Sequence, residues 1–181
     1  LLSMALDDYT GKILVDGTDM KTIMSKSFNE KVSYVYQDVF LFEATLKENI
    51  ALFKETSDQA IHHAINQAGL SEFVNQLPDG IHTQISENGK NLSGGERQRV
   101  SIARALFKQA DILFVDEATS SLNDELGVQI EQTLLSLDAT ILAISHKAFP
   151  GVTKTYDFVL ELKDGYVTTY AAEDYFAEVT Q

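Results

Sequence analysis

The chain has 181 residues, 44% hydrophobic and 23% charged, which is enough apolar side chain for one packed domain and excludes a disordered or fibrous protein. Fourteen Lys and Arg stand against 27 Asp and Glu, and the resulting net charge of −13 repels the phosphates that supply most sequence-independent nucleic-acid affinity. With no cysteine, disulfide frameworks, thiolate metal sites and a cysteine nucleophile are excluded, and without a long apolar run or a basic leader the expectation is a soluble chain lacking a secretion signal.

In chain order, Ile13-Leu14-Val15 reads as a short strand bounded by Gly11 and Asp16-Gly17, and Val32 to Tyr36 is a second apolar patch. From Ser57 to Gly69 apolar residues recur at helical spacing, with Ser57 or Asp58 as N-cap and Gly69 as the stop. A short helix with Phe73, Val74 and Leu77 ends at Pro78-Asp79-Gly80. A further helix begins at Ser93. The continuous apolar run Ile112 to Val115, ending in Asp116-Glu117, predicts a strand buried on both faces of a parallel sheet. The stripe Leu126, Ile130, Leu134, Leu137 predicts a helix, and Thr140 to Ile144 a second buried strand, giving a βαβ unit. Phe158 to Leu162 and Tyr166 to Tyr170 flank an Asp164-Gly165 hairpin turn.

A parallel strand ending in Asp116-Glu117 delivers two carboxylates to the sheet edge where α/β folds bind ligands. An Asp there suits Mg²⁺, and a Glu can orient or deprotonate a water attacking a γ-phosphate. Ser93 and Glu96 have capping-box spacing, but a capping box does not explain Gly94 and Gly95, since adjacent glycines weaken a first turn by about 1 kcal/mol each. Bare amides at a helix start form an anion site, so cap and phosphate contact are compatible there. His62, His63 and His82 lack partners at metal-binding spacing and read as surface residues.

Leu92-Ser93-Gly94-Gly95-Glu96-Arg97-Gln98-Arg99 resembles the signature motif of ATP-binding-cassette (ABC) ATPases, and Ile112 to Glu117 resembles their Walker B strand. Tyr34 to Asp38 is similar to the Q-loop, Ala118 to Asn123 to the D-loop, and Ile144-Ser145-His146 to the switch region. The resemblance implies an α/β P-loop NTPase-like core with a mostly parallel sheet and a helical subdomain, about residues 38 to 105, between Q-loop and Walker B. It also implies catalytic roles for Glu117, His146 and Gln37, and Mg²⁺ at Asp116 and Gln37. Ser93, Gly94, Gly95 and Glu96 would act in trans on the ATP of a second ABC ATPase domain, and Ser121, Leu122 and Asn123 would belong to the D-loop. Phe40, Leu41, Phe42 and Glu87 would meet a transmembrane domain, placing the chain at the cytoplasmic face of a membrane, with no nucleic-acid partner. Three departures stand out: Asn123 where aspartate is usual, Tyr36 and Lys147 where proline and arginine are common, and no Gly-x-x-x-x-Gly-Lys-Ser/Thr anywhere. Leu1 to Leu6 look like the helix that follows that loop, so residues 1–181 are expected to be a partial ATPase domain without its N-terminal β-subdomain. Alone it is expected to bind MgATP more weakly than roughly 1 mM and to be inactive. The alternatives are a soluble ABC ATPase of DNA repair or translation, disfavoured by the acidic charge and the exporter-like Leu41 to Ile50, and a degenerate partner subunit, disfavoured by Glu117 and His146.

Overall fold

A computed structural model describes residues 8–149 and 151–179; Leu1 to Leu6 lie outside them. Asp16 and Gly17, at φ 48° and 77°, turn β1 (Leu14–Val15) onto β2 (Thr18–Asp19). Next come α1 (Ser25–Lys31) and β3 (Val32–Val35), the strand foreseen at Val32, preceded by a helix that the polar sequence conceals. A stretch rich in helix follows: β4 (Ala44–Thr45), α2 (Leu46–Ala51), α3 (Asp58–Gln67), α4 (Ser71–Gln76), β5 (Gln84–Ile85) and α5 (Gly94–Lys108). The remaining elements are β6 (Ile112–Asp116), α6 (Asp124–Leu135), β7 (Thr140–Ile144), β8 (Phe158–Lys163), β9 (Tyr166–Ala171) and α7 (Ala172–Val179).

The main helices start where side chains satisfy their orphan amides. Ser57 accepts from Ala60 N–H at α3, and Thr45 with Glu48 forms a capping box at α2. Those bonds, from the Thr45 hydroxyl first, hold the Glu48 carboxyl below its ordinary pKa. Gly165 at φ 80° and Asp164 at φ 50° close the β8–β9 hairpin, where Lys163 faces Tyr166.

Strands β3, β6 and β7 form a parallel sheet in the order β3-β6-β7, with Val35, Val115 and Ala143 in one row. Their carboxyl ends therefore share one edge. On one face Val35, Leu113 and Val115 join Val100 and Ile102 of α5 and Ile130 and Leu134 of α6 in the main core. Beneath the other face a smaller cluster of Met20, Phe28 and Val32 reaches Ile112 and Phe114, and Tyr34 stacks between Tyr36 and Phe114 at 5.4 and 5.3 Å. The expectation of strands buried on both faces is corrected here. In β6 only Leu113 and Val115 are fully buried, and β7 is largely exposed, with Ile144 at 64%. The reason is position: β7 is the sheet edge among the described residues, and the helices cover one side.

Helix α5 packs against both α2 and α3. Asn49 of α2 is fully buried, accepts from Phe42 N–H at 2.9 Å and donates to the carbonyls of Phe42 and Thr45 at 3.0 and 3.1 Å. Arg104 of α5 donates to the carbonyls of Asn49 (2.9 Å) and Phe40 (3.2 Å), and its burial lowers its pKa. Together these two side chains fasten residues 40–45. Removing the Asn49 amide strands several buried partners, so Asn49→Ala is expected to cost about 3 kcal/mol. Thermal unfolding checks this: the transition of this domain should fall by several degrees, and an unchanged transition contradicts the network's role.

Candidate functional site

Each strand of the parallel sheet hands its next residues to the common edge: Gln37 after β3, Asp116 and Glu117 at the end of β6, and Ser145 and His146 after β7. Three segments distant in sequence are thus gathered at one edge by parallel pairing. Gln37 is exposed and Asp116 half-buried.

Glu117 is held tightly. Its N–H donates to the Ile144 carbonyl at 3.0 Å, and its own carbonyl accepts from Ser120 N–H at 3.2 Å and from the Ser120 hydroxyl at 2.9 Å. Its φ of 54° is left-handed, a conformation costly for a non-glycine residue and concentrated at functional sites. The residue is only 8% exposed, and its Oε1 is buried without a hydrogen-bond partner. His146 Nε2 stands 3.5 Å from that oxygen, while the imidazole side chain itself is 91% exposed. A buried carboxylate oxygen left unpaired costs free energy unless something else is meant to bond it. The arrangement sets a fixed, buried acceptor beside a solvent-facing imidazole that can donate.

The second cluster is built at the start of α5. Ser93 is its N-cap: Ser93 N–H donates to Glu96 Oε2 at 2.8 Å and Glu96 N–H to Ser93 Oγ at 3.3 Å. Ser93 and Gly94 are exposed, leaving the first-turn amides open to an incoming anion. Gly95 has a steric reason to lack a side chain, because a Cβ there would lie 3.3 Å from the Ser121 carbonyl oxygen and 3.6 Å from Leu122 Cδ2. The signature-like turn thus rests directly on the segment after Glu117. Asn123 ends that segment as N-cap of α6, its Oδ1 accepting from Leu126 N–H at 2.9 Å. Asn and Asp cap about equally well, which gives Asn123 a local role whatever the missing negative charge does elsewhere.

The third group is a surface. Phe40 and Phe42 are exposed and meet edge to face at 5.0 Å, with Phe53 adding a second edge contact to Phe42 at 5.4 Å. Leu41 corrects the sequence reading: it is fully buried in the main core, so it anchors this surface instead of lining it. Exposure alternates along Phe40-Leu41-Phe42 and separates it from its neighbours. Phe53 was not read from the sequence, and its signal was the Leu52-Phe53 pair just past α2, both left-handed at φ 50° and 61°. Exposed Glu87 pairs with Lys90 at 3.2 Å, and the turn it opens is tied in when Asn88 N–H donates to the Leu41 carbonyl at 3.0 Å. Arg97 of α5 donates to the Leu92 carbonyl at 2.9 Å and to the Gly89 carbonyl at 3.5 Å, the second bond joining that turn to the signature-like helix. His62, His63 and His82 are exposed, as expected. Among the described residues no group of three or more His, Asp or Glu could hold a metal unaided, and no helix is long and apolar enough to cross a membrane.

Residues 1–120 match the model of the family described as ABC transporter. The chain is 42% identical over 151 residues to the ATP-dependent lipid A-core flippase of Francisella novicida, covering 81% of this chain and 26% of that protein. It is 41% identical over 150 residues to an uncharacterised ABC transporter ATP-binding protein of Sinorhizobium fredii, again 81% of this chain and 26% of the relative. The chain thus spans about a quarter of the length of these curated relatives. Among solved structures, a bacterial Atm1-family ABC exporter with ATP bound aligns with a TM-score of 0.88 at 32% identity, over 98% of this chain and 32% of that one.

Proposed function

We propose a function from a plain premise: this chain belongs to the ABC transporter family. Its fold and relatives are those of the ATPase domain of exporters. In the full-length protein it binds and hydrolyses ATP, pairs with a second ATPase domain, and drives a transmembrane domain from the cytoplasmic face. The observation that carries this reading is Glu117: a buried carboxylate at the end of a parallel strand, with a left-handed backbone and an unpartnered Oε1 facing His146.

Glu117 Oε1 accepts a proton from water as its oxygen bonds to the γ-phosphorus, and the bond from that phosphorus to the β,γ-bridging oxygen breaks to give ADP and phosphate. His146, exposed on the same edge, donates a hydrogen bond to a γ-phosphate oxygen. Asp116 and Gln37 fit a Mg²⁺ site, since this ion is usually held by one or two protein oxygens completed by phosphate and water; when bound it neutralises charge on the phosphates. Ser93, Gly94 and Gly95, whose hydroxyl and amides open outward, contact the ATP held by the partner domain. The helix-rich region at about residues 38 to 105 carries this turn and the membrane-facing surface together. The chain alone is expected to bind MgATP poorly, because its sequence holds no Gly-x-x-x-x-Gly-Lys-Ser/Thr cradle. The exporter relatives and the acidic charge favour this reading over a nucleic-acid machine.

MgATP turnover by the full-length protein in lipid vesicles tests the proposal, and a protein that binds but never hydrolyses ATP rejects it. In the same preparation, alanine at Phe40, Phe42 and Phe53 should keep turnover within about threefold while abolishing the MgATP-driven distance change between spin labels in the membrane part. If that distance change survives, the aromatic cluster is not the coupling surface.

A further inference from the structure

The loop that carries His146 is fastened on both sides of the histidine, and its fastenings lead to α6. Immediately around His146, the Ser145 hydroxyl accepts from Lys147 N–H at 3.0 Å and donates to the Lys147 carbonyl at 2.9 Å, closing a tight turn. Lys147 Nζ donates to the Leu122 carbonyl at 3.0 Å and stands 3.6 Å from Asp124, the first residue of α6. Three residues past His146, Phe149 is 4% exposed. Its N–H donates to Thr153 Oγ1 at 2.8 Å and its carbonyl accepts from Val152 and Thr153 N–H at 3.0 and 3.1 Å.

The Phe149 ring lies against Gly127, which is buried in the second turn of α6. A Cβ at Gly127 would stand 2.8 Å from Phe149 Cε1, 3.3 Å from Cε2 and closer still to Cζ. Glycine is the poorest ordinary helix former, and the capped, amphipathic α6 gives no backbone reason for one at this position. The aromatic ring does give a reason: it needs the bare backbone.

We propose that Phe149, seated on Gly127, is a positioning residue for His146. Together with Lys147 on Leu122, it references the imidazole to α6 and to the segment that supports Gly95, so the reach of His146 toward Glu117 and the γ-phosphate is set by the helix that Asn123 caps. Each fastening is local, while the histidine between them is 91% exposed with its Nε2 3.5 Å from Glu117 Oε1. This inference rests on the role given to His146 above.

A steric cycle in the full-length protein tests it. Gly127→Ala improves helix propensity yet displaces the ring, so kcat should fall at least about tenfold while KM for ATP stays within about twofold, as expected when a reacting group is misplaced by a fraction of an ångström. Phe149→Leu alone, which removes the ring without crowding α6, should also lower kcat with KM kept. The double variant Gly127→Ala, Phe149→Leu should recover kcat to within about threefold of wild type. An unchanged kcat in Gly127→Ala, or a double variant no better than the worse single one, overturns the proposal. Should Gly127→Ala fail to fold, an unchanged kcat in Phe149→Leu overturns it equally. Glu117→Gln in parallel separates the two levels: if it leaves turnover intact, the functional reading fails, whereas if it alone stops turnover, only the positioning role fails.

Discussion

Glu117→Gln in the full-length protein is expected to bind MgATP with wild-type affinity and to lose ATP turnover by about a hundredfold or more. The amide keeps the shape of a side chain that is 8% exposed, and the backbone ties to Ile144 and Ser120 remain. What disappears is an acceptor that can take a proton: Oε1, buried and without a hydrogen-bond partner, is the atom proposed to face the attacking water. Steady-state turnover with a parallel nucleotide-binding assay reads both halves. Turnover within about threefold of wild type removes Glu117 from the chemistry.

Gly95→Asp should be nearly as damaging to turnover, for a reason that leaves folding intact. An acidic side chain in the first turn of α5 favours the helix through its dipole, and Gly95 is only half-buried, so the domain should still fold, with a melting temperature lowered by no more than a few degrees. The new Cβ, however, meets the Ser121 carbonyl oxygen at 3.3 Å, and the carboxylate adds negative charge to a turn proposed to receive a phosphate. The expected result is a loss of about a hundredfold in turnover in a domain that still folds cooperatively. Turnover retained in the folded variant would leave Gly95 as a packing residue beneath Ser121 and no more.

The parallel core was legible because buried strands write themselves as continuous apolar runs. Ile112 to Val115 and Thr140 to Ile144 are such runs, and the residues following them fall at the sheet edge once the pairing is parallel. Ser93 was readable for a different reason, the local arithmetic of a capping box, and the same Ser/Thr-x-x-Glu spacing at Thr45 and Glu48 marks the start of α2. What the pattern hid was solvent. An apolar run says that a strand wants covering and not which side is covered, so the exposure of Ile144 at the β7 edge is visible only in three dimensions. Leu41 shows the complementary limit: in Phe40-Leu41-Phe42 hydropathy is uniform, and only the folded chain shows that Leu41 turns inward. The Asn49–Arg104 clamp and the Gly127–Phe149 contact join residues 55 and 22 positions apart, with no periodic signal to announce them.

The central claim is that Glu117 of one domain and the Gly95 turn of the other complete a single ATP site. It is tested most directly by assembling full-length pairs from two differently tagged copies and measuring their ATP turnover. When one copy carries Glu117→Gln and the other Gly95→Asp, both defects fall in one site and the second site is intact, so turnover should persist. When a single copy carries both changes and its partner is wild type, each site contains one defect and turnover should vanish. The reverse outcome, silence in the first arrangement and activity in the second, would mean that Gly95 serves the ATP of its own domain and would contradict the account.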